Sequence, residues 1–332
     1  MKPLNIGCLS SGKHAVRNII PMITNHDEFN LVLVHARDLN KLRDSLIAAQ
    51  ISEESLDDFD LNNITCNEDD IYLNKNIDVV YISSPNALHF EQILKCLKNN
   101  KHVIVEKTAL TSINQLEKVK RLAFDKKLIV TEAFMYKFHN QLLKLKEEIE
   151  KIGIEEIRRI FVNFHIPHLE KNNIRYKKDL GGGALLDVGA YTLNILKEIG
   201  IIEPELIHSQ IENDSNDLDI GGIAKLKYKN ILITCNWGFG IAYKNSIEII
   251  TDEKIIFADR IFSKPKDLET NISTFSNGKT INLIEVGPED HFSKMFSNLF
   301  QDIKKLKFHK SIDQIEYQLK LIESIKNNEK IY

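Results

Sequence analysis

Near its amino terminus the chain reads Leu4-Asn5-Ile6-Gly7-Cys8-Leu9-Ser10-Ser11-Gly12-Lys13-His14-Ala15. The apolar run Leu4–Leu9 predicts a strand, and apolar residues at helical spacing continue over Gly12–Thr24. Gly12 lies at the turn between them, where a bound pyrophosphate needs close approach of the backbone and free N–H groups. The pattern G-x-G-x-x-G/A matches at Gly12 and Ala15, with Ser10 in place of the first glycine. Taken alone, the turn fits a dinucleotide site and a plain tight turn equally well.

The first 133 residues alternate strand and helix signals. Short apolar runs predict further strands at Leu31–His35, Asp78–Ser83, His102–Val105 and Leu128–Thr131. Helical periodicity separates several of them, at Ala87–Leu97 and Ile113–Ala123. Short apolar strands between helices are typical of βαβ units around a buried parallel sheet. We therefore predict an α/β fold with an N-terminal Rossmann domain over residues 1–133.

The pattern changes in the second half of the chain, where longer alternating runs replace the βαβ pattern. They predict strands at Ile157–Ile166, Ile223–Tyr228, Ile231–Trp237 and Ser246–Ile250. Helical periodicity appears at Ala184–Ile199 and near residues 289–307 and 311–328. Alternating strands favour a mostly antiparallel open sheet with one face covered. Residues 134–332 are thus predicted to form a C-terminal α+β domain for substrate binding and oligomerisation.

Charge and composition narrow the function classes. The 332 residues carry a formal net charge of -3 with Lys and Arg spread along the chain, so no basic surface for nucleic acid is predicted. The four cysteines form no C-x-x-C pair, which argues against a zinc site or a redox dithiol. No leader segment is evident at Met1, and no apolar run approaches the roughly 18 residues of a membrane span. We expect a soluble cytoplasmic protein with neither metal nor membrane partner.

The end of the second predicted strand bears on the choice of dinucleotide. An NAD-specific fold usually carries an acid there for the ribose 2′-hydroxyl, but this chain has His35-Ala36-Arg37-Asp38. Arg37 can pair with a 2′-phosphate, and Asp38 fits a helix N-cap. The residues favour NADP(H) and leave NAD(H) possible.

Three further segments carry a family resemblance. They are Tyr81-Ile82-Ser83-Ser84-Pro85-Asn86-Ala87-Leu88-His89, Lys101-His102-Val103-Ile104-Val105-Glu106-Lys107, and Gly181-Gly182-Gly183-Ala184-Leu185-Leu186-Asp187-Val188-Gly189-Ala190-Tyr191. In this order and with the Gly12 turn, they resemble the glucose–fructose oxidoreductase / inositol dehydrogenase (Gfo/Idh/MocA) family along essentially the whole chain. The resemblance implies a nicotinamide-dependent oxidoreductase.

The resemblance also implies catalytic residues. The family places a lysine beside nicotinamide and substrate at the end of a strand that reads Glu-Lys-Pro, and Lys107 matches it, with Thr108 in place of the proline. Asp187 and Tyr191 are four residues apart and share one helix face. The chain resembles the branch with Tyr rather than His at the second position. Tyr191 or Lys107 would protonate a nascent alkoxide, while Asp187 would bind a substrate hydroxyl or orient the lysine.

The implied cofactor contacts come from the loops that follow the parallel strands. They are Ser10, Ser11, Gly12, Lys13, His14, Arg37, Ser84, Pro85, Asn86, His89, Glu106 and Lys107. Several of these residues have simpler alternatives: His89 also fits a helix-face histidine, and Glu106 a salt-bridge partner. Tyr136 is a candidate for the substrate pocket, although its aromatic neighbours also fit interdomain packing.

Other stretches indicate the branch of the family. Ile174–Tyr176, Trp237–Ser246 and Asp259–Phe262 resemble NADPH-dependent nucleotide-sugar 3-ketoreductases of deoxysugar biosynthesis. In that interpretation Lys107, Asp187 and Tyr191 hold the sugar, and Arg175 is a candidate for the diphosphate, or else a loop residue in a surface ion pair. An NADP-dependent aldose or trans-dihydrodiol dehydrogenase is an alternative, and a non-catalytic dinucleotide-binding sensor is another. Because family members often pair through the C-terminal sheet, we expect a homodimer or homotetramer.

Overall fold

The computed structural model describes residues 2–10, 12–38, 40, 42, 44 and 63–328. They group into two units: unit 1 combines Met1–Ala133 with Phe292–Ile315, and unit 2 combines Phe134–His291 with Glu316–Tyr332. The sequence analysis assigned all of 134–332 to the second domain, whereas Phe292–Ile315 groups with unit 1. Aromatic packing explains the difference, because the Phe29 ring in unit 1 contacts those of Phe296 and Phe300.

Unit 1 is built on a six-stranded parallel sheet in the order β3-β2-β1-β4-β5-β6. Its strands are β1 (Leu4–Leu9), β2 (Phe29–His35), β3 (Ile64–Thr65), β4 (Val79–Ile82), β5 (His102–Val105) and β6 (Val130–Glu132). The strand order reverses direction between β1 and β4, and such a switch point opens a ligand crevice at the carboxyl ends of the strands. The predicted Rossmann fold is therefore confirmed.

The helices of unit 1 connect these strands. Within the described part of residues 1–133 they are α1 (Ile20–Thr24), which follows a π-helical turn at Ala15–Ile19, and α2 (Glu68–Leu73), α3 (Asn86–Lys98) and α4 (Ile113–Lys126). Local sequence fixes where two of them begin, since Asn67 accepts from the Asp69 N–H and Ser112 from the Gln115 N–H. Asp38 acts in the same way through Oδ1, which accepts from the Asn40 N–H, as expected of an N-cap.

Unit 2 contains an eight-stranded sheet in the order β14-β13-β12-β11-β7-β10-β9-β8. The strands are β7 (Ile157–Ile166), β8 (Glu205–Asn213), β9 (Asp219–Tyr228), β10 (Ile231–Phe239), β11 (Lys244–Thr251), β12 (Ile255–Asp259), β13 (Thr270–Ser276) and β14 (Lys279–Val286). All neighbouring pairs are antiparallel except β7 with β10. The predicted mostly antiparallel sheet is confirmed, with four more strands than the four predicted.

Helices contact one face of this sheet. They include α5 (Asn140–Ile152) and α6 (Ala190–Glu198), which follows a π-helical turn at Leu185–Gly189. Alternation along β7 buries Ile160 and Val162 and leaves Phe161 half-exposed. Helices α7 (His291–Lys304) and α8 (Phe308–Asn327) end the described chain. No helix in the described ranges has the length and apolar character to cross a membrane.

Candidate active site

The turn after β1 has the backbone shape that its sequence only partly signalled. Ser10 occupies the left-handed region with φ 70°, a conformation for which glycine is the usual residue. The hydroxyl of Ser83, which follows β4, donates to the Ser10 carbonyl at 2.8 Å and joins the two loops at the switch point. A Cβ atom at Gly12 would have one neighbour within 4 Å, the Ser83 carbonyl oxygen at 3.9 Å. The space at Gly12 fits the backbone approach that a pyrophosphate requires.

The side chains around this turn differ in how accessible they are. Lys13 and His14 are both exposed. The His14 side chain is held by a contact with Glu106, because its Nε2 lies 3.4 Å from a carboxylate oxygen of that residue. Arg37, just beyond β2, is also exposed. Ser11 was predicted to contact the cofactor and lies outside the described residues.

The turn that carries Lys107 is held by hydrogen bonds on both sides. Lys107 is half-buried directly after β5. The backbone N–H of Ala109 donates to Oε1 of Glu132 at the end of β6, at 2.8 Å. On the other side the carbonyl oxygen of Thr108 lies 2.9 Å from Nδ1 of His89 on α3. These contacts fix the backbone around Lys107, at the edge of the sheet where the ligand crevice of a Rossmann fold opens.

Glu106 is half-buried and contacts two side chains of unit 1. The hydroxyl of Tyr81 on β4 donates to its Oε1 at 2.7 Å, and His14 approaches the same oxygen. Burial opposes ionisation of Glu106, but His14, Tyr81 and Lys107 outweigh it and hold its pKa below the usual value. The alternative of a salt-bridge partner therefore describes Glu106 in this structure.

Three predicted contact residues have buried side chains that are hydrogen-bonded within the protein. His89 is completely buried, with Nε2 2.8 Å from the Ser84 carbonyl oxygen. The Ser84 hydroxyl donates to Gln92 Oε1 in the core. In unit 2, Tyr136 is completely buried and donates to Asn194 Oδ1 at 2.7 Å. In this structure these side chains are shielded and already hydrogen-bonded, so the contacts of His89 and Ser84 with the cofactor and of Tyr136 with the substrate stay predictions.

The triple glycine of unit 2 shapes the approach to the Asp187 helix. Gly181 and Gly183 have φ values of 74° and 121°, which L side chains rarely adopt. A Cβ atom at Gly182 would lie 2.5 Å from the Arg175 carbonyl oxygen and 2.8 Å from that of Lys177. Glycine is thus required at this tight crossing of two backbone segments, which brings Arg175 next to the helix.

Asp187 and Arg175 form an ion pair. Nε of Arg175 donates to Oδ2 of Asp187 at 2.5 Å, with the arginine side chain 41% exposed and the aspartate 12% exposed. Arg175 thus takes part in an ion pair, as one of its two alternatives expected, and its partner is Asp187 of the predicted catalytic set. Its proposed contact with a diphosphate stays a prediction.

Tyr191 lies in an aromatic cluster within unit 2. Its ring packs against Phe134 and Phe164, with ring centroids 5.0 Å and 5.3 Å away, and its hydroxyl lies 3.6 Å from the Met135 sulfur. Sulfur is a weak acceptor, so this contact is easily exchanged for a stronger one. The packing fixes the ring, and the side chain is 6% exposed.

The sequence analysis missed Asp219. This residue begins β9, and its Oδ2 accepts from the Leu185 N–H at the start of the helical segment that carries Asp187. Its other oxygen is buried without a hydrogen-bond partner in the described part of the chain. Burial raises the pKa of Asp219 to about 7. The only sequence signal is an acid before an alternating strand, which does not reveal its distant partner.

The raised pKa of Asp219 makes stability depend on pH. Because the folded-state pKa lies above the unfolded value, folding favours the protonated form, and this contribution is lost as pH rises from about 4 to about 7. The variant Asp219→Asn keeps an acceptor for Leu185 and lacks the titration. We expect the free energy of unfolding of the variant minus that of wild type to be larger at about pH 8 than at about pH 5, because only the wild type loses stability over this range. Urea unfolding at both pH values measures this, and a pH-independent difference would contradict the assignment.

Comparisons with known proteins place the chain in a family. A model described as "Oxidoreductase family, NAD-binding Rossmann fold" of the Gfo/Idh/MocA group matches residues 4–134, and the model of the family's C-terminal domain matches residues 142–257. The chain belongs to the Gfo/Idh/MocA oxidoreductase family. The resemblance and the enzyme class expected from the sequence are confirmed.

Similar proteins include sugar reductases. The chain is 26% identical to a dTDP-3,4-didehydro-2,6-dideoxy-alpha-D-glucose 3-reductase of Saccharopolyspora spinosa, over 91% of this chain and 88% of that protein. A protein of the same name from Actinomadura kijaniata is 30% identical over 57% of this chain and 58% of its own. The structure of KijD10, a 3-ketoreductase from Actinomadura kijaniata in complex with NADP and TDP-benzene, superposes with a TM-score of 0.89 at 22% identity, covering 99% and 98% of the two chains. The structural likeness supports the fold.

Proposed function

We propose that this Gfo/Idh/MocA family member is an NADPH-dependent ketoreductase that reduces the 3-keto group of a dTDP-linked deoxysugar. The proposal rests above all on similarity to a dTDP-sugar 3-reductase along 91% of the chain, with Lys107, Asp187 and Tyr191 all present. The Asp187–Arg175 pair supports it, because a carboxylate that can accept from sugar hydroxyls lies beside a guanidinium of the kind that binds diphosphates.

The reaction adds a hydride and a proton to one carbonyl. When bound, the reduced nicotinamide supplies the hydride to the keto carbon, which leaves the oxidised dinucleotide and a negatively charged oxygen. We propose that Tyr191 or Lys107 donates the proton to that oxygen. Lys107 additionally stabilises the developing negative charge through its ammonium group. Asp187 accepts hydrogen bonds from sugar hydroxyls, and Arg175 keeps that carboxylate in place.

Unit 1 fits the dinucleotide at three points. The left-handed turn at Ser10 and the open space at Gly12 suit a pyrophosphate, and exposed Arg37 suits a 2′-phosphate. Lys13, Pro85 and Asn86 remain proposed contacts of the same crevice. These six residues and Lys107 are the cofactor contacts that we propose for unit 1.

Arg37 is expected to set the preference for NADPH. In Arg37→Ser the charge that pairs with the 2′-phosphate is lost, so KM for NADPH should rise about 10- to 100-fold while KM for NADH changes little. Steady-state kinetics with both cofactors measure the change, and Lys98→Ser, which removes an exposed lysine on α3, is the control. Equal rises of KM for both cofactors would contradict a role at the 2′-phosphate.

Substrate class is tested by NADPH oxidation against a panel of sugars. We expect turnover with dTDP-linked 3-keto deoxysugars and none with free xylose, glucose or trans-dihydrodiols assayed in the oxidative direction. Efficient turnover of the free compounds would support the aldose or trans-dihydrodiol dehydrogenase alternative. Tight NADPH binding without turnover of any substrate would support a sensor.

Arg175→Met should raise KM for the dTDP-sugar, because the diphosphate loses its proposed partner.

We propose further that the open face of the unit 2 sheet pairs with a second copy of the chain. Register places Phe161, Phe257 and Leu283 in one row on this face, with Glu248 of β11 and Ser273 of β13 between them, and Leu283 is 51% exposed. Leu232 of β10 lies on the same face and is 39% exposed. Large apolar side chains on an open sheet face favour an interface, and a two-fold axis lets one face cover its own copy.

The oligomer proposal predicts the effect of one charge. Phe161→Glu replaces an aromatic ring of this face by a second carboxylate opposite Glu248, so we expect the mass measured by light scattering to fall to that of a single chain. The control Leu73→Glu changes a residue of unit 1 that is 66% exposed and should leave the mass unchanged. A monomeric wild-type protein would contradict the proposal.

A further inference from the structure

His89 makes contacts that a neutral imidazole cannot satisfy. Its Nδ1 lies 2.9 Å from the Thr108 carbonyl oxygen and its Nε2 lies 2.8 Å from the Ser84 carbonyl oxygen. A carbonyl oxygen only accepts hydrogen bonds, so each contact requires an N–H on the ring. A neutral ring has one N–H, whereas the imidazolium has two. With one N–H missing, a nitrogen lone pair would face a carbonyl oxygen in a site closed to water.

The two carbonyls belong to loops that follow adjacent strands. Ser84 follows β4, and Thr108 follows β5 immediately after Lys107. His89 stands between them in the first turn of α3, where its ring is completely buried. The Ser84 hydroxyl donates to Gln92, and Gln92 donates in turn to Glu68 at 3.2 Å, so the Ser84 side is anchored in the core. The ring therefore ties the Lys107 turn to a rigid support.

We propose that His89 is a positioning residue that, as the doubly protonated imidazolium, holds the Lys107 turn against the loop after β4. When the ring loses one proton, one of the two carbonyls loses its donor and the turn is held less tightly. The proton on His89 thus controls how precisely Lys107 is placed. This inference rests on the proposed role of Lys107, but the charge state of the ring can be tested separately.

The charged groups around the ring set the pH at which this happens. Burial lowers the pKa of His89 below 6.5, the Thr108 and Ser84 carbonyls and the Glu106 carboxylate act against that, and Lys107 lowers it further. The bridge is therefore complete below the pKa of His89 and is lost as pH rises through it. We expect a limb in the pH profile of kcat below pH 6.5, along which kcat falls as pH rises.

The test compares two histidines of unit 1, of which His89 is completely buried and His102 is half-buried. His89→Gln can donate to one carbonyl only, so we expect kcat to fall about 10- to 100-fold with KM for the sugar little changed, and the acidic limb to vanish. His102→Gln is the matched control: His102 lies at the other end of β5, where its Nδ1 accepts from the Ile129 N–H, and it should keep the limb. A limb that persists in His89→Gln, or one that is absent from the wild type, would overturn the proposal.

A second readout needs neither a folded variant nor a substrate. In wild-type protein labelled with ¹⁵N-histidine and loaded with NADPH, both ring nitrogens of His89 should show protonated chemical shifts at acidic pH, and one should lose its proton as pH rises. An unprotonated nitrogen at every pH where the protein is folded would refute the charged bridge. If no sugar is turned over, the proposed function fails, while the ¹⁵N spectrum still decides the state of His89.

Discussion

Replacing Lys107 by methionine is expected to lower kcat for the dTDP-sugar about 10²- to 10⁴-fold, the usual contribution of a positioned acid–base group. Methionine has nearly the length of lysine and lacks the ammonium group, so it removes charge and proton while keeping most of the volume. The turn itself should persist in this variant. The hydrogen bonds of Glu132 and His89 to the turn involve the backbone of Ala109 and Thr108, not the Lys107 side chain. Steady-state kinetics with saturating NADPH measure the loss.

Controls separate chemistry from binding in this variant. NADPH affinity, followed by fluorescence titration, should change much less than kcat, and Lys98→Met on the exposed side of α3 should be as active as wild type. A companion Tyr191→Phe variant divides the proton transfer, because the residue that donates the proton causes the larger fall in kcat. Near-full kcat in both Lys107→Met and Tyr191→Phe would contradict the assigned roles.

Replacing Gly182 by alanine should have the second large effect, on both stability and activity. Its Cβ would lie 2.5 Å and 2.8 Å from two backbone carbonyl oxygens, and backbone atoms cannot swing aside as a flexible side chain does. The segment that carries Arg175 must move, which we expect to lower the free energy of unfolding by more than about 2 kcal/mol. Arg175 would then lose its place beside Asp187, so the KM for the dTDP-sugar should rise as well.

Gly287→Ala provides the matched control for this effect. A Cβ atom at Gly287 meets no heavy atom of the described residues within 4 Å, so the same change of residue should leave stability nearly unchanged. Urea unfolding of both variants against wild type measures the difference. Equal stability of Gly182→Ala and Gly287→Ala would show that the crossing of the two segments is not as tight as the structure has it.

Periodicity was sufficient to predict five of the six strands of the parallel sheet, all except β3, and four of the eight strands of the unit 2 sheet. Buried strands such as β4 and β5 are continuous apolar runs between helices, which is a strong signal. Strands β8, β12, β13 and β14 were missed, and β8 and β14 are the two edges of the unit 2 sheet. There polar residues face solvent on one or both sides, as along Lys279–Val286, and the apolar alternation fades.

The candidate site shows the same division between local and long-range information. Ser10, Gly12, Lys107, Asp187 and Tyr191 were found from motifs, because each lies in a contiguous pattern. The Arg175–Asp187 pair depends on how the triple glycine folds back. His89 and Tyr136 were assigned to ligand contacts because nothing in the sequence shows that both are completely buried. Partners distant in sequence, such as Asp219 and Leu185, leave no periodic trace.

The most direct test of the proposed reaction follows the hydride itself. NADPH deuterated at C4 of the nicotinamide is incubated with the protein and a dTDP-linked 3-keto deoxysugar, and the product is analysed by NMR. The proposed mechanism predicts deuterium on carbon 3 of the sugar with one NADP⁺ formed per product. Deuterium at another carbon would show that a carbonyl other than the one at carbon 3 is reduced. The absence of labelled sugar while NADPH binds would contradict the claim that this chain is a sugar ketoreductase.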